Sequence, residues 1–102
     1  MTQEFNLDNV DVRNNAAESR FEARLGDDLA LIEYQLSDKV IAYTHTEVPP
    51  AFEGKGVAAK MARAALEYAK EQGLMVAPFC PYIASYIKRH PEYQSITIDV
   101  SR

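Results

Sequence analysis

Between Arg20 and Leu25 the side chains alternate, with Phe21, Ala23 and Leu25 apolar and Glu22 and Arg24 charged. A period of two marks a strand that buries one face. Gly26-Asp27-Asp28 reads as a tight turn into a second run, Leu29–Leu36, where Ala30, Ile32, Tyr34 and Leu36 share a face. Ser37-Asp38-Lys39 reads as the turn into a third, Val40–Glu47. With a short run at Val10–Arg13 in front, the pattern predicts four strands joined as an antiparallel meander.

The period changes after Val48-Pro49-Pro50. Two prolines cannot continue a central strand, because neither can donate to the ladder. From Gly56 to Gln72 the spacing is helical: Val57, Met61, Ala64, Ala65 and Tyr68 form an apolar stripe, opposite Lys60, Arg63, Glu67, Lys70 and Glu71. Gly73 stands where a C-terminal cap belongs. The apolar run Leu74–Phe79 predicts a fifth strand, parallel to the fourth because a helix connects them. Pro81 can open a second helix, with Ile83, Tyr86 and Ile87 on its apolar side and Pro91 as its stop. Ile96, Ile98 and Val100 alternate with Ser95, Thr97 and Asp99, which predicts a last strand over Ser95–Val100. The expected class is α+β with a mixed sheet, in one domain over residues 10–102, preceded by a flexible segment, residues 1–9.

Composition narrows the function. A chain of 102 residues holds one core and is short for two domains. Its net charge is −4 and the basic residues are scattered among acidic ones, whereas a nucleic-acid binder normally shows a basic stripe. No apolar run approaches the roughly 20 residues that span a bilayer, and Met1–Asn6 lacks the features of a signal peptide. The single cysteine, Cys80, rules out an internal disulfide and fits a reducing cytoplasm. These points set aside nucleic-acid and membrane partners, and no metal site is expected.

The chemistry concentrates between the fourth strand and the first long helix. Gly54 and Gly56 permit close backbone approach and positive φ, and the helix that follows offers unpaired N–H groups and a partial positive charge. A turn of this kind at the carboxyl end of a parallel strand is suited to an anion; it is equally suited to turning the chain and nothing more. Cys80 precedes Pro81 at the start of the second helix, where a thiol's pKa can fall. His45 ends the neighbouring strand, so a Cys–His pair is one reading. A buried small hydrophobe and a wall residue are the other.

The run His45-Thr46-Glu47-Val48-Pro49, followed by Gly54-Lys55-Gly56-Val57-Ala58, resembles the acetyl-coenzyme A signature of the GNAT N-acetyltransferase superfamily. That signature is a strand, then Gln or Arg, two residues, Gly, one residue, and Gly or Ala opening a helix. Here it falls on Glu53, Gly56 and Ala58, with Glu53 in place of Gln or Arg. Together with Cys80-Pro81-Tyr82 and His90-Pro91-Glu92-Tyr93, it is similar to the compact branch of about 100 residues, over roughly residues 10–95. The resemblance implies acetyl-coenzyme A (acetyl-CoA) as co-substrate, with its pyrophosphate on the backbone amides of Gly54, Lys55, Gly56, Val57 and Ala58. It also implies that the pantetheine arm pairs with the fourth strand near Glu47 and Val48.

In the same family a tyrosine of the corresponding helix often protonates the departing thiolate, which points here to Tyr86; a core or cleft-lining tyrosine is the other reading of that position. The implied activity is acetyl transfer to an amine, carried by a small molecule or a protein lysine. Two alternatives stand beside it: a non-catalytic acyl-CoA-binding or interaction module, and thioester hydrolysis. The first draws on the early strands, where the turn from Leu25 to Leu29 leaves no room for the helices that build an acceptor site in the family's larger members.

Overall fold

The computed structural model describes residues 6–100. Five strands form one sheet in the order β1-β2-β3-β4-β5: β1 Asp11–Asn15, β2 Arg20–Leu25, β3 Asp28–Ser37, β4 Val40–Glu47 and β5 Met75–Pro78. The first four pair antiparallel. β5 lies parallel to β4, from Val40 opposite Met75 to Tyr43 opposite Pro78. The mixed α+β architecture read from the pattern is therefore the observed one.

The connection from β4 to β5 carries α1 (Val57–Gln72), closed by Gly73 in the left-handed conformation at φ +68°. Its buried residues are Val57, Met61, Ala62, Ala65, Leu66 and Ala69. The stripe is thus rotated from the expected one, with Ala64 and Tyr68 half-buried at its edge. Three buried alanines let the helix lie close on the sheet, while Met61 and Leu66 each supply about 1.5–3 kcal/mol of burial. Tyr43, fully buried in β4, donates its hydroxyl to Ala65 O at 2.6 Å. It also packs edge-on to Tyr34, within reach of Phe21.

Two expectations concern the ends of the chain. Of the predicted loose segment, residues 1–5 lie outside the described residues. Leu7–Asn9 make a 3-10 turn capped by the Asn6 side chain, and Lys60 Nζ reaches Leu7 O at 3.0 Å and Val10 O at 2.6 Å.

The predicted strand over Ser95–Val100 does not form. After α2 (Pro81–Arg89) a 3-10 helix runs from Pro91 to Ile96. It is held by the Tyr93 hydroxyl on Glu67 Oε2 (2.6 Å) and by Thr97 Oγ1 on Tyr93 O (2.7 Å). Beyond it, Thr97 makes an isolated parallel bridge to Val76. β5 is four residues long and ends in a proline, so it presents little edge for a sixth strand.

Candidate functional site

β4 and β5 part above Tyr43 and Pro78, and both strands contribute to the parting. Pro78 has no N–H to continue the ladder; the chain turns at Phe79, and the last link is the Cys80 N–H to Tyr43 O, 2.8 Å. On β4 the register with β3 shifts: Glu33 faces His45 while Tyr34 faces Tyr43. Thr44 is left unopposed, with its hydroxyl on Glu33 O at 3.3 Å. Such a bulge bends its strand and increases the twist. Residues 45–47 stay paired to β3 and leave β5, so one edge of β4 is freed and a wedge opens toward its carboxyl end.

The chain then passes over the mouth of that wedge. Pro50–Phe52 form a 3-10 turn anchored by Phe52, which is buried. Gly54 and Gly56 follow at φ +72° and +84°, a region that a Cβ makes costly. The first helical bond of α1 runs from Lys60 N–H to Gly56 O, 3.0 Å. The amides of Val57, Ala58 and Ala59 therefore precede any intrahelical acceptor. No side chain caps this end and no acidic residue occupies its first turn, so its partial positive charge is not neutralised from within.

A cleft of about 360 Å³ opens beside it, lined by Gly54, Gly56, Ala58 and Ala59 together with Val48, Phe52 and Tyr82. Glu53 also borders this cleft and is exposed, as is Lys55. Val57 is fully buried. Glu47 is exposed and Val48 half-buried, at the end of the freed edge.

These features fit a pyrophosphate and an extended arm. They comprise paired positive-φ glycines, an uncapped helix end, small side chains around it, and a strand edge free for backbone pairing. Among the described residues no group of three or more His, Cys, Asp or Glu is placed to hold a metal. Among the described residues no helix is long and apolar enough to cross a membrane.

The three side chains expected to carry chemistry are placed apart. Cys80 caps α2 and is 2% exposed, and its Sγ lies 2.9 Å from Thr46 Oγ1 across the wedge. His45 projects from the other side of β4, half-exposed, with Nε2 2.8 Å from Glu47 Oε2. The contacts thus pair Cys80 with Thr46 and His45 with Glu47, not Cys80 with His45; alternation of side chains along a strand separates neighbours in this way.

Tyr86 is buried and stacks on the His90 ring, centroids 3.9 Å apart, near Tyr93. It lies on the side of α2 that meets the final 3-10 helix, and burial pushes its hydroxyl pKa up. Tyr82, one turn earlier, lines the cleft instead, its pKa also raised by burial. Thr46 and Tyr82 are the two residues that sequence reasoning passed over. Tyr82 sits inside the Cys80-Pro81-Tyr82 run and Thr46 inside the His45–Pro49 run, but it is the bulge that sets Thr46 against Cys80.

The early strands are joined tightly, β1 to β2 by a 3-10 turn at Ala16–Glu18 and β2 to β3 by Gly26-Asp27. Each connection is a single turn, with no α-helix in it.

Comparison with known proteins agrees with this architecture. The family model described as GCN5-related N-acetyl-transferase matches residues 20–96. Protein NATD1 of Xenopus tropicalis is 34% identical over 85 residues, covering 80% of this chain and 78% of that protein. Protein NATD1 of Homo sapiens is 33% identical over 85 residues, covering 80% and 75%. The solution NMR structure of a GCN5-like protein from Staphylococcus aureus superposes with a TM-score of 0.70. It is 27% identical and covers 92% of this chain and 93% of that one. The chain belongs to the GCN5-related N-acetyltransferase family.

Proposed function

We propose that this protein is an acetyl-CoA-dependent N-acetyltransferase of the cytoplasm that acts on a primary amine. The observation that carries the reading is the wedge between β4 and β5, opening beside an uncapped α1. In this reading the amides from Gly54 to Ala58, with those of Ala59 beside them, hold the pyrophosphate. Lys55 adds a positive charge nearby, and Val48, Phe52 and Tyr82 enclose the arm. The freed edge of β4 near Glu47 and Val48 offers backbone groups to the pantetheine amides.

Acetyl-CoA supplies an activated acyl group, and the protein's own contribution is proximity and a polar backbone around the thioester. His45, held by Glu47, is the base that takes the amine proton. Because that pair lies on the other side of β4 from Cys80, it takes the proton through water. Direct transfer is favoured over an acyl-cysteine route, because Cys80 is almost fully buried and its contact is a threonine. The family tyrosine role passes from Tyr86 to Tyr82 on the same ground: Tyr82 borders the cleft and Tyr86 does not.

The test is a titration with acetyl-CoA and CoA, read by calorimetry and amide-shift mapping, followed by acetyl transfer to a panel of small amines and lysine peptides. Shifts centred on residues 54–59 and amide product support the reading. Shifts elsewhere, or no binding, refute it. The short turns among β1, β2 and β3 favour a second reading, an acyl-CoA-binding module whose acceptor site is absent or supplied by a partner. Tight binding with no transfer to any amine would select it.

A further inference from the structure

We propose that Thr46, clasped to Cys80, is the floor of the acyl subsite and restricts the protein to short acyl groups. This deepens the reading above and rests on it. The wedge between β4 and β5 has a defined bottom. Its lowest link is the backbone bond from Cys80 N–H to Tyr43 O, 2.8 Å, and Tyr43 beneath is fully buried. Just above, Thr46 Oγ1 and Cys80 Sγ meet at 2.9 Å, the side-chain contact that crosses the opening.

The two neighbours of Thr46 point elsewhere: His45 and Glu47 are exposed and bond each other. Thr46 alone of the three is half-buried, with its hydroxyl against Cys80 Sγ.

A ligand anchored by its phosphates at Gly54–Ala59 and extended along the freed edge of β4 passes Val48, then Glu47, then Thr46. From Val48 to Thr46 is two residues, about 7 Å at the rise of a strand. The end of that ligand farthest from the phosphates, which is the acyl group, therefore arrives at the Thr46–Cys80 contact. What it meets is a methyl group, a hydroxyl already engaged, and a sulfur with 2% of its residue exposed. That surface accepts a methyl and has nowhere to put a longer chain without breaking the clasp. A cavity that is one methylene too short discriminates by about 10- to 200-fold.

The experiment measures, by calorimetry, the affinities of CoA, acetyl-CoA, propionyl-CoA and butyryl-CoA for the wild type, Thr46→Ala and Cys80→Ala. Each acyl-CoA is expressed relative to CoA in the same protein, so a general loss of cleft affinity cancels. The wild type is expected to favour acetyl over butyryl by about tenfold or more, and Thr46→Ala to raise the relative butyryl affinity by about tenfold. Cys80→Ala is expected to act in the same direction.

Thr46→Ser, which keeps the hydroxyl and removes only a methyl, is the more conservative variant should the alanine form not fold. It should relax the limit for propionyl but not for butyryl. Equal chain-length ratios in the wild type and the variants overturn the inference while leaving the cofactor cleft intact. Failure of the wild type to bind CoA or any acyl-CoA overturns the underlying reading as well.

Discussion

An acidic side chain in the first turn of α1 should improve the fold and damage the site. Ala59 is exposed, borders the cleft, and occupies the third position of a helix that has no side-chain cap and no acid in its first turn. In Ala59→Glu the carboxylate interacts favourably with the helix dipole, worth about 0.3–1 kcal/mol, less a few tenths for the weaker helix propensity of Glu. At roughly 4–8 °C per kcal/mol for a domain of this size, Tm should stay level or rise by up to about 4 °C.

Toward a bound pyrophosphate the sign reverses. At a separation of about 6 Å, one carboxylate and one phosphate charge repel by about 0.7 kcal/mol at a dielectric of 80 and about 2.8 kcal/mol at 20. Two phosphate charges double this, so CoA affinity should fall by at least about tenfold, at 1.4 kcal/mol per decade. The loss should shrink as salt is added.

Ala59→Gln has nearly the same shape without the charge and serves as the reference. Thermal unfolding followed by circular dichroism gives the stability arm, and calorimetric titration with CoA at two ionic strengths gives the binding arm. Equal CoA affinity in Ala59→Glu and Ala59→Gln would remove the helix end as the anion site, whatever happens to Tm.

Four further outcomes are expected. Tyr43→Phe removes the buried hydroxyl bond to Ala65 O and should cost about 1 kcal/mol, read as a lower urea midpoint at unchanged slope; an unchanged midpoint would show that bond to be without net value. Cys80 should react slowly with iodoacetamide until denaturant is added, since the residue is 2% exposed, and acetyl-CoA without amine should add no mass to the protein; an adduct released by hydroxylamine would restore the acyl-cysteine route.

Tyr86→Phe should leave acetyl transfer nearly unchanged while Tyr82→Ala raises the Kd for CoA; an about tenfold fall in kcat for Tyr86→Phe would return the proton-donor role to Tyr86. Hydrogen bonds from Arg20 and Asn15 hold the Glu22 carboxyl below its ordinary value of 4.5. Because the folded value is the lower one, this contribution is present above that pH and is lost as pH falls through the folded value. Wild type should therefore lose more stability than Glu22→Gln between neutral pH and pH 3, and parallel curves would show the pair to be inert.

Local patterning determined much of this protein. Alternation in Arg20–Leu25 and its neighbours specified the meander, because a strand must sort its side chains to two faces. The change of period at Pro49-Pro50 specified α1. A helix between β4 and β5 then required those strands to run parallel, since the connection is too long and too helical for a hairpin. The glycines at 54 and 56 were legible as a backbone-lined turn, because positive φ is a local demand.

What depended on distant partners was not legible. The Ser95–Val100 alternation satisfied the strand rule, yet a strand needs an edge, and β5 ends at Pro78 after four residues. The bulge at Thr44 exists only as a mismatch of register between β3 and β4, and no property of Thr44 alone announces it. That one extra residue sends His45 and Glu47 to one side and Thr46 to the other. It therefore decided that Cys80 meets a hydroxyl rather than an imidazole. Side-chain chemistry can be read from a sequence, but which side chains face each other is set by strand register and packing, which are properties of the assembled sheet.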